Sequence, residues 1–136
     1  MKQRSLLVIK PDGVQRRLIG RIISRLEKEG FDIVEMRMMR LSQKKAESLY
    51  RAHKGKDFYL PLVDFVTSGP VVALVLARND ALAYLREVVG ATDPAKAAQG
   101  TLREQFGTDV QRNTVHAAAT EEDANREIRL LFGSSQ

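Results

Sequence analysis

The sequence has 136 residues, of which 43% are hydrophobic and 29% charged, with no cysteine and two histidines, His53 and His116. That length and apolar share predict a single globular domain over residues 1–136 with an ordinary core, and exclude a disordered chain. The missing cysteines exclude a disulfide scaffold, a thiolate zinc site and a cysteine nucleophile, and two histidines leave little for an imidazole metal cage.

Lys and Arg number 22 against 17 Asp and Glu, a net charge of +5. A basic domain of this kind meets polyanions, either nucleic acid or phosphorylated small molecules, unless the charge merely solvates the surface. The start MKQRSLLVIKPDG is not a signal peptide, because Lys10 breaks the apolar run after four residues and a signal needs about 7–15. No apolar run approaches the ~20 residues that span a bilayer. The expectation is a soluble, cytoplasmic protein with no membrane partner.

In chain order, Leu6-Leu7-Val8-Ile9 reads as a strand ended by a Pro11-Asp12-Gly13 turn. Leu18, Ile19, Ile22, Ile23 and Leu26 form one helical face, stopped by Gly30. Val34, Met36 and Met38 alternate with Glu35 and Arg37 as on a half-buried strand. Ser42 is placed to cap a helix carrying Ala46, Leu49, Tyr50 and His53. A polar loop over 54–57 leads to a short helix over 59–66. Residues 71–77 are continuously apolar, which suits a strand buried on both faces. Asn79 is a candidate cap for a helix running to Val89. Residues 90–110 lack clear periodicity, and a loop that long in a compact domain points to function. A brief strand over 114–116 and a helix begun by Thr120-Glu121-Glu122-Asp123 close the chain. Split as βαβ plus βαβ, this order predicts an α+β domain of the ferredoxin-like βαββαβ kind, a four-stranded antiparallel sheet with helices over one face.

The chain has no GxxxxGK[ST] loop and no kinase Gly-rich loop with its HRD and DFG partners, so phosphate handling would rest on discrete side chains. Lys10, Arg86, Arg103 and Arg112 fall at element ends, where guanidinium forks and a lysine point charge suit phosphate oxygens. His116 can serve as a nucleophile toward phosphorus if a partner holds its other nitrogen, and Glu127 on the following helix is a candidate.

The words Lys10-Pro11-Asp12-Gly13-Val14, His53-Lys54-Gly55-Lys56, Thr67-Ser68-Gly69-Pro70-Val71-Val72, Gly90-Ala91-Thr92-Asp93-Pro94 and Arg112-Asn113-Thr114-Val115-His116 together resemble the nucleoside diphosphate kinases. The resemblance runs from about residue 4 to residue 132 and implies the same ferredoxin-like fold. It also implies a ping-pong transfer in which His116 takes the γ-phosphoryl of a nucleoside triphosphate and yields it to a nucleoside diphosphate. By the same resemblance Mg²⁺ rides on the nucleotide phosphates. Lys10 meets phosphate and sugar hydroxyl, and Asn113 the 3′-hydroxyl. Arg86, Thr92, Arg103 and His53 hold phosphates. Tyr50 sits beside the imidazole, Glu127 orients it through its distal nitrogen, and Phe58 and Val110 sandwich the base. Arg112 is left structural. Stacking reads a face every base has, so breadth across bases is expected, and nucleic acid is not required to explain the charge.

The sequence departs from the family pattern at the turn after the histidine, where Ala117-Ala118-Ala119-Thr120 stands for the usual Gly-Ser-Asp-Ser. It also departs at Asp57 and Gln99, where proline is usual, and at Glu104-Gln105, which replaces Gly-Asp. The other reading of the chain is a nucleotide- or nucleic-acid-binding protein of this fold with little turnover. The resemblance further implies a homo-oligomer built from dimers, and the short tail over 132–136 weighs toward a tetramer over a hexamer.

Overall fold

The computed structural model describes residues 2–133. The sheet order is β2-β3-β1-β4, all antiparallel, from β1 (Gln3–Ile9), β2 (Asp32–Met39), β3 (Val71–Arg78) and β4 (Val115–Ala117). This is the expected ferredoxin-like arrangement. Leu6, Leu7, Val8 and Ile9 are all fully buried because β1 lies inside the sheet and both of its faces are covered. The expectation of helices over one face is corrected here. Leu6 and Val8 point into a core with α3 (Gln43–Leu49), α4 (Tyr59–Val66) and α7 (Glu121–Phe132). Leu7 and Ile9 point into a second core with α2 (Ile19–Lys28) and α5 (Ala81–Val89). The continuous apolar run of β3 splits by the same period of two.

Helix ends follow local chemistry. Gly30, at φ +87°, closes α2 by donating to the Glu27 carbonyl at 3.0 Å, while Phe31 donates to Leu26 at 3.1 Å, the two bonds of a Schellman end. Ser42 accepts from the Lys45 N–H at 3.1 Å and Thr120 from the Asp123 N–H at 3.0 Å, capping α3 and α7 as expected. Asn79 does not cap α5. Asp80 occupies that position at φ +54° without a side-chain cap, and Gln3 of β1 accepts from the Leu82 N–H at 2.9 Å instead. The Pro11-Asp12-Gly13 turn is a short helix, α1 (Pro11–Gln15), started by the proline whose missing N–H costs nothing there.

The stretch over 90–110 is not structureless. Asp93 caps a 3-10 turn (Pro94–Lys96) and Thr101 caps α6 (Leu102–Phe106), with Leu102 fully buried. Neither element is long enough to show helical periodicity. Of the tail used above for the oligomer, residues 134–136 lie outside the described residues.

Candidate active site

Strand parity places the histidine. Val115 and Ala117 of β4 face the α2/α5 core, so His116, opposite Val8 of β1, turns to the side of α3 and α7. There Glu127 of α7, 3% exposed, accepts from His116 Nε2 at 2.8 Å. An ionised carboxylate only accepts, so Nε2 carries the proton and the lone pair lies on Nδ1. No hydrogen bond among the described residues engages Nδ1. The Tyr50 ring stands edge-on to the imidazole, centroids 5.2 Å apart. Burial, and then the charge of Glu127, pushes the Tyr50 hydroxyl above the ordinary tyrosine range. It stays a neutral donor, and it has no hydrogen-bond partner among the described residues.

Lys10 leaves the end of β1, 3% exposed, and donates to the Gln111 carbonyl at 2.6 Å and to Asn113 Oδ1 at 3.0 Å. Burial lowers its ammonium to about 8, against the opposing charge of Asp12. Arg103 on α6 donates to the Gly90 carbonyl at 3.0 Å and the Val115 carbonyl at 2.9 Å, while its buried Nε has no partner among the described residues. Burial lowers its guanidinium to about 10, which keeps it charged at neutral pH. Arg86, in the last turn of α5, reaches the Ala119 carbonyl at 3.4 Å. The Asn113 amide donates to the Thr92 carbonyl at 2.9 Å. His53 follows α3 in a 3-10 turn and lies 5.0 Å from the Phe58 ring; burial, then Lys56 and His116, lowers its pKa. Phe58 and Val110 are exposed.

The eleven positions named from the resemblance all line one cavity of about 600 Å³ and so converge on a single space. Arg112 is elsewhere occupied, pairing with Asp109 at 2.7 Å to close the turn over 109–112.

Arg126 was not named from the sequence, and Asp12, Gly13 and Thr114 stood there inside the matching words with no role at the site assigned. Arg126 precedes Glu127 on α7, sets Nη2 3.6 Å from Glu127 Oε2 and donates Nη1 to the Ser48 carbonyl at 2.9 Å. Its adjacency to Glu127 was the available signal. Asp12 accepts from the Thr114 N–H at 3.0 Å, and Lys10 N–H donates to the Thr114 carbonyl at 2.8 Å. Together they hold Thr114 at φ +79°, a conformation that costs a non-glycine residue of order 1–3 kcal/mol and turns Asn113 toward Lys10. Gly13 makes room for this bend, since a Cβ there would meet Ile9 Cγ2 at 2.7 Å and Thr114 Cγ2 at 3.1 Å. Nothing in the residue type of Thr114 signals that backbone.

A family model described as nucleoside diphosphate kinase matches residues 3–136. The chain is 51% identical over 134 residues to a nucleoside diphosphate kinase of Desulforamulus reducens, covering 98% of this chain and 90% of that one. It is 49% identical, over the same shares, to one of Pelotomaculum thermopropionicum. The solved structure of a halophilic nucleoside diphosphate kinase from Halobacterium salinarum in complex with CDP superposes with a TM-score of 0.95 at 41% identity, covering 99% of this chain and 90% of that one.

Proposed function

The chain belongs to the nucleoside diphosphate kinase family and has its activity, moving a terminal phosphoryl from a nucleoside triphosphate to a nucleoside diphosphate, and we propose that His116 Nδ1 carries it. The observation behind this is the 2.8 Å bond from His116 Nε2 to buried Glu127, which fixes the tautomer and leaves Nδ1 as the nucleophilic lone pair. In the first half-reaction the Nδ1–P bond forms as the bond from the γ-phosphorus to the β–γ bridging oxygen breaks, and the diphosphate leaves. In the second, a terminal oxygen of another diphosphate attacks the same phosphorus and the N–P bond breaks. Glu127 offsets the charge the ring gains in between.

Transfer of this kind is mostly positioning and charge stabilisation. Lys10, Arg86, Arg103 and His53 supply the cationic groups for the phosphates, Thr92 a hydroxyl, and Asn113 with Lys10 the contact to the sugar. Phe58 and Val110 bracket the base from the exposed rim, which favours breadth over selectivity. Among the described residues no group of three or more His, Asp or Glu could hold a metal ion. The cations fit a nucleotide that brings its own Mg²⁺ on phosphate oxygens, and the ion would neutralise charge there. No helix among the described residues is long and apolar enough to cross a membrane, and the nucleotide substrates suit a cytoplasmic setting.

The dimer from which a homo-oligomer, a tetramer in this reading, would be built is supported by β2. It is an edge strand that exposes Val34, Met36 and Met38 (44, 54 and 58%) and buries Glu35 Oε2 without a partner among the described residues. Antiparallel pairing of two copies about Met36 would set Glu35 of each opposite Arg37 of the other. A native mass of one chain would rule this out.

Incubation with γ-labelled ATP tests the chemistry. The expected product is an acid-labile, alkali-stable label that passes to added GDP and is absent from His116→Ala, with exchange down at least about four orders of magnitude. Label retained by His116→Ala would overturn the assignment.

A further inference from the structure

The segment from Gly90 to Asn113 carries Thr92, Arg103 and Val110, so on the functional reading above its shape sets the grip on the nucleotide. Its sharp bend is the turn over 98–101. The Thr101 N–H donates to the Ala98 carbonyl at 3.2 Å, and Gly100 has φ +87° while Gln99 does not have a positive φ. Those are the features of a type II turn, with Gly100 at the third position, which requires positive φ, and Gln99 at the second, which proline favours because its ring pre-sets φ. Proline is usual at 99 in the family pattern and is missing here.

Side chains from two helices hold this turn instead. Arg25 of α2 donates Nη1 to the Gly100 carbonyl at 2.6 Å, and Glu104 of α6 accepts the Gly100 N–H at 2.9 Å. Arg25 is braced in turn, because its Nε donates to Glu29 Oε2 at 2.8 Å and the Tyr84 hydroxyl of α5 donates to Glu29 Oε1 at 2.5 Å. Glu104 is itself a departure, standing where the family pattern has glycine. Two departures thus meet at one residue, the first removing a rigid turn and the second adding an acceptor that grips it. Arg103 lies beside Glu104 at the start of α6, so loosening Gly100 loosens the guanidinium that reaches Gly90 and Val115.

We propose that Arg25 and Glu104 are positioning residues that clamp both backbone groups of Gly100 and hold the nucleotide-gripping segment in shape, replacing by hydrogen bonds the φ restraint of a proline at 99. Neither touches His116, Glu127 or Tyr50, which rest on β4, α7 and α3. A loosened segment must be ordered each time nucleotide binds, so the cost falls on affinity.

The test is a cycle of Arg25→Met, Gln99→Pro and the pair, read as KM and kcat for nucleoside diphosphate with labelling by γ-labelled ATP. The Gln99 N–H makes no hydrogen bond among the described residues, so proline removes none. Arg25→Met should raise KM about tenfold, a charged donor's share, with kcat within about twofold. Gln99→Pro should shift KM less than about twofold alone and recover most of the loss in Arg25→Met. Glu104→Ala gives a second route should Arg25→Met fold poorly, with KM up about threefold and the same rescue. An effect of Gln99→Pro equal in both backgrounds, or a lowered Tm with KM unchanged in the single variants, overturns the clamp. Failure of the unmodified enzyme to take label at all would instead strike the His116 reading.

Discussion

On the proposed assignment, the phosphate end and the base end of the cavity are built from different material. At the phosphate end Lys10, Tyr50 and Glu127 are at most 5% exposed. They stand at the end of β1, the end of α3 and within α7, and Lys10 and Glu127 are fixed by hydrogen bonds. At the base end Phe58 and Val110 are 48 and 56% exposed and lie outside the sheet, with the His53 ring 5.0 Å and the Lys56 ammonium 5.6 Å from the Phe58 ring. In that reading the chemistry falls on the buried, hydrogen-bonded part, where a displacement of about 1 Å can cost a hundredfold in rate. Recognition falls on the exposed loops, where looseness costs only affinity and admits more than one base.

Titration should separate the two ends most strongly. Burial lowers the Lys10 ammonium to about 8, so in the free enzyme its charge is present below that pH and lost above it. The value of kcat/KM should therefore fall about tenfold per pH unit on the alkaline side. Lys10→Met should be at least about a hundredfold slower in kcat/KM and lack that limb. A profile that stays level through two units above pH 8 would remove Lys10 charge from the phosphate grip.

The base end should answer with affinity. Stacking on an aromatic ring contributes about 1–3 kcal/mol per base, and a half-exposed ring lies at the low end, so Phe58→Ala should raise KM about fivefold to tenfold. The rise should be similar for purine and pyrimidine nucleotides, with phosphoenzyme formation at saturation nearly unchanged. Loss of kcat at constant KM would mean that Phe58 acts on the phosphate end through His53, and the division between the ends would fail.

The same division explains what could be read from the residues alone. The sheet was legible because β1 and β3 carry continuous apolar runs; those runs already pointed to strands covered on both faces, and the expectation of helices over one face came instead from the element order. The eleven proposed site positions were legible, Lys10, His53, Thr92, Asn113 and His116 through the short words of sequence and the other six through the wider resemblance, and all eleven line one cavity. The supports behind them were not. Thr114 adopts its left-handed backbone because Asp12, Lys10 and Gly13 surround it, and Arg25 meets Gly100 across 75 residues of chain. Such contacts arise from tertiary packing, which residue type and spacing do not encode locally. The α5 cap shows the same limit: Asn79 has the right chemistry, but Gln3 of the neighbouring strand has the right place.

The smallest expected effect lies at the turn where the phosphate end departs from the family pattern. Glu127 Oε1 is used by His116, and Oε2 has only Arg126 Nη2 at 3.6 Å, beyond hydrogen-bond distance. Thr120 makes no hydrogen bond to Glu127 among the described residues; its oxygen accepts from the Asp123 N–H to cap α7, which leaves its own O–H free to donate. Ala118, 1% exposed, sits in the α3/α4/α7 core with Tyr50, Ala124 and Ile128, so a hydroxyl placed there must find a protein acceptor. Ala118→Ser should supply the missing donor to Glu127 and raise the rate of phosphoenzyme formation about two- to tenfold, because only part of the worth of a hydroxyl–carboxylate bond is gained between ground and transition state. The gain should appear in kcat with KM for the nucleotide unchanged, because the orienting pair acts on the imidazole and leaves the phosphate cations alone. A rate equal to that of the unmodified chain would mean that Arg126 already holds the carboxylate firmly enough, and Arg126→Met should then lower kcat where Ala118→Ser failed to raise it.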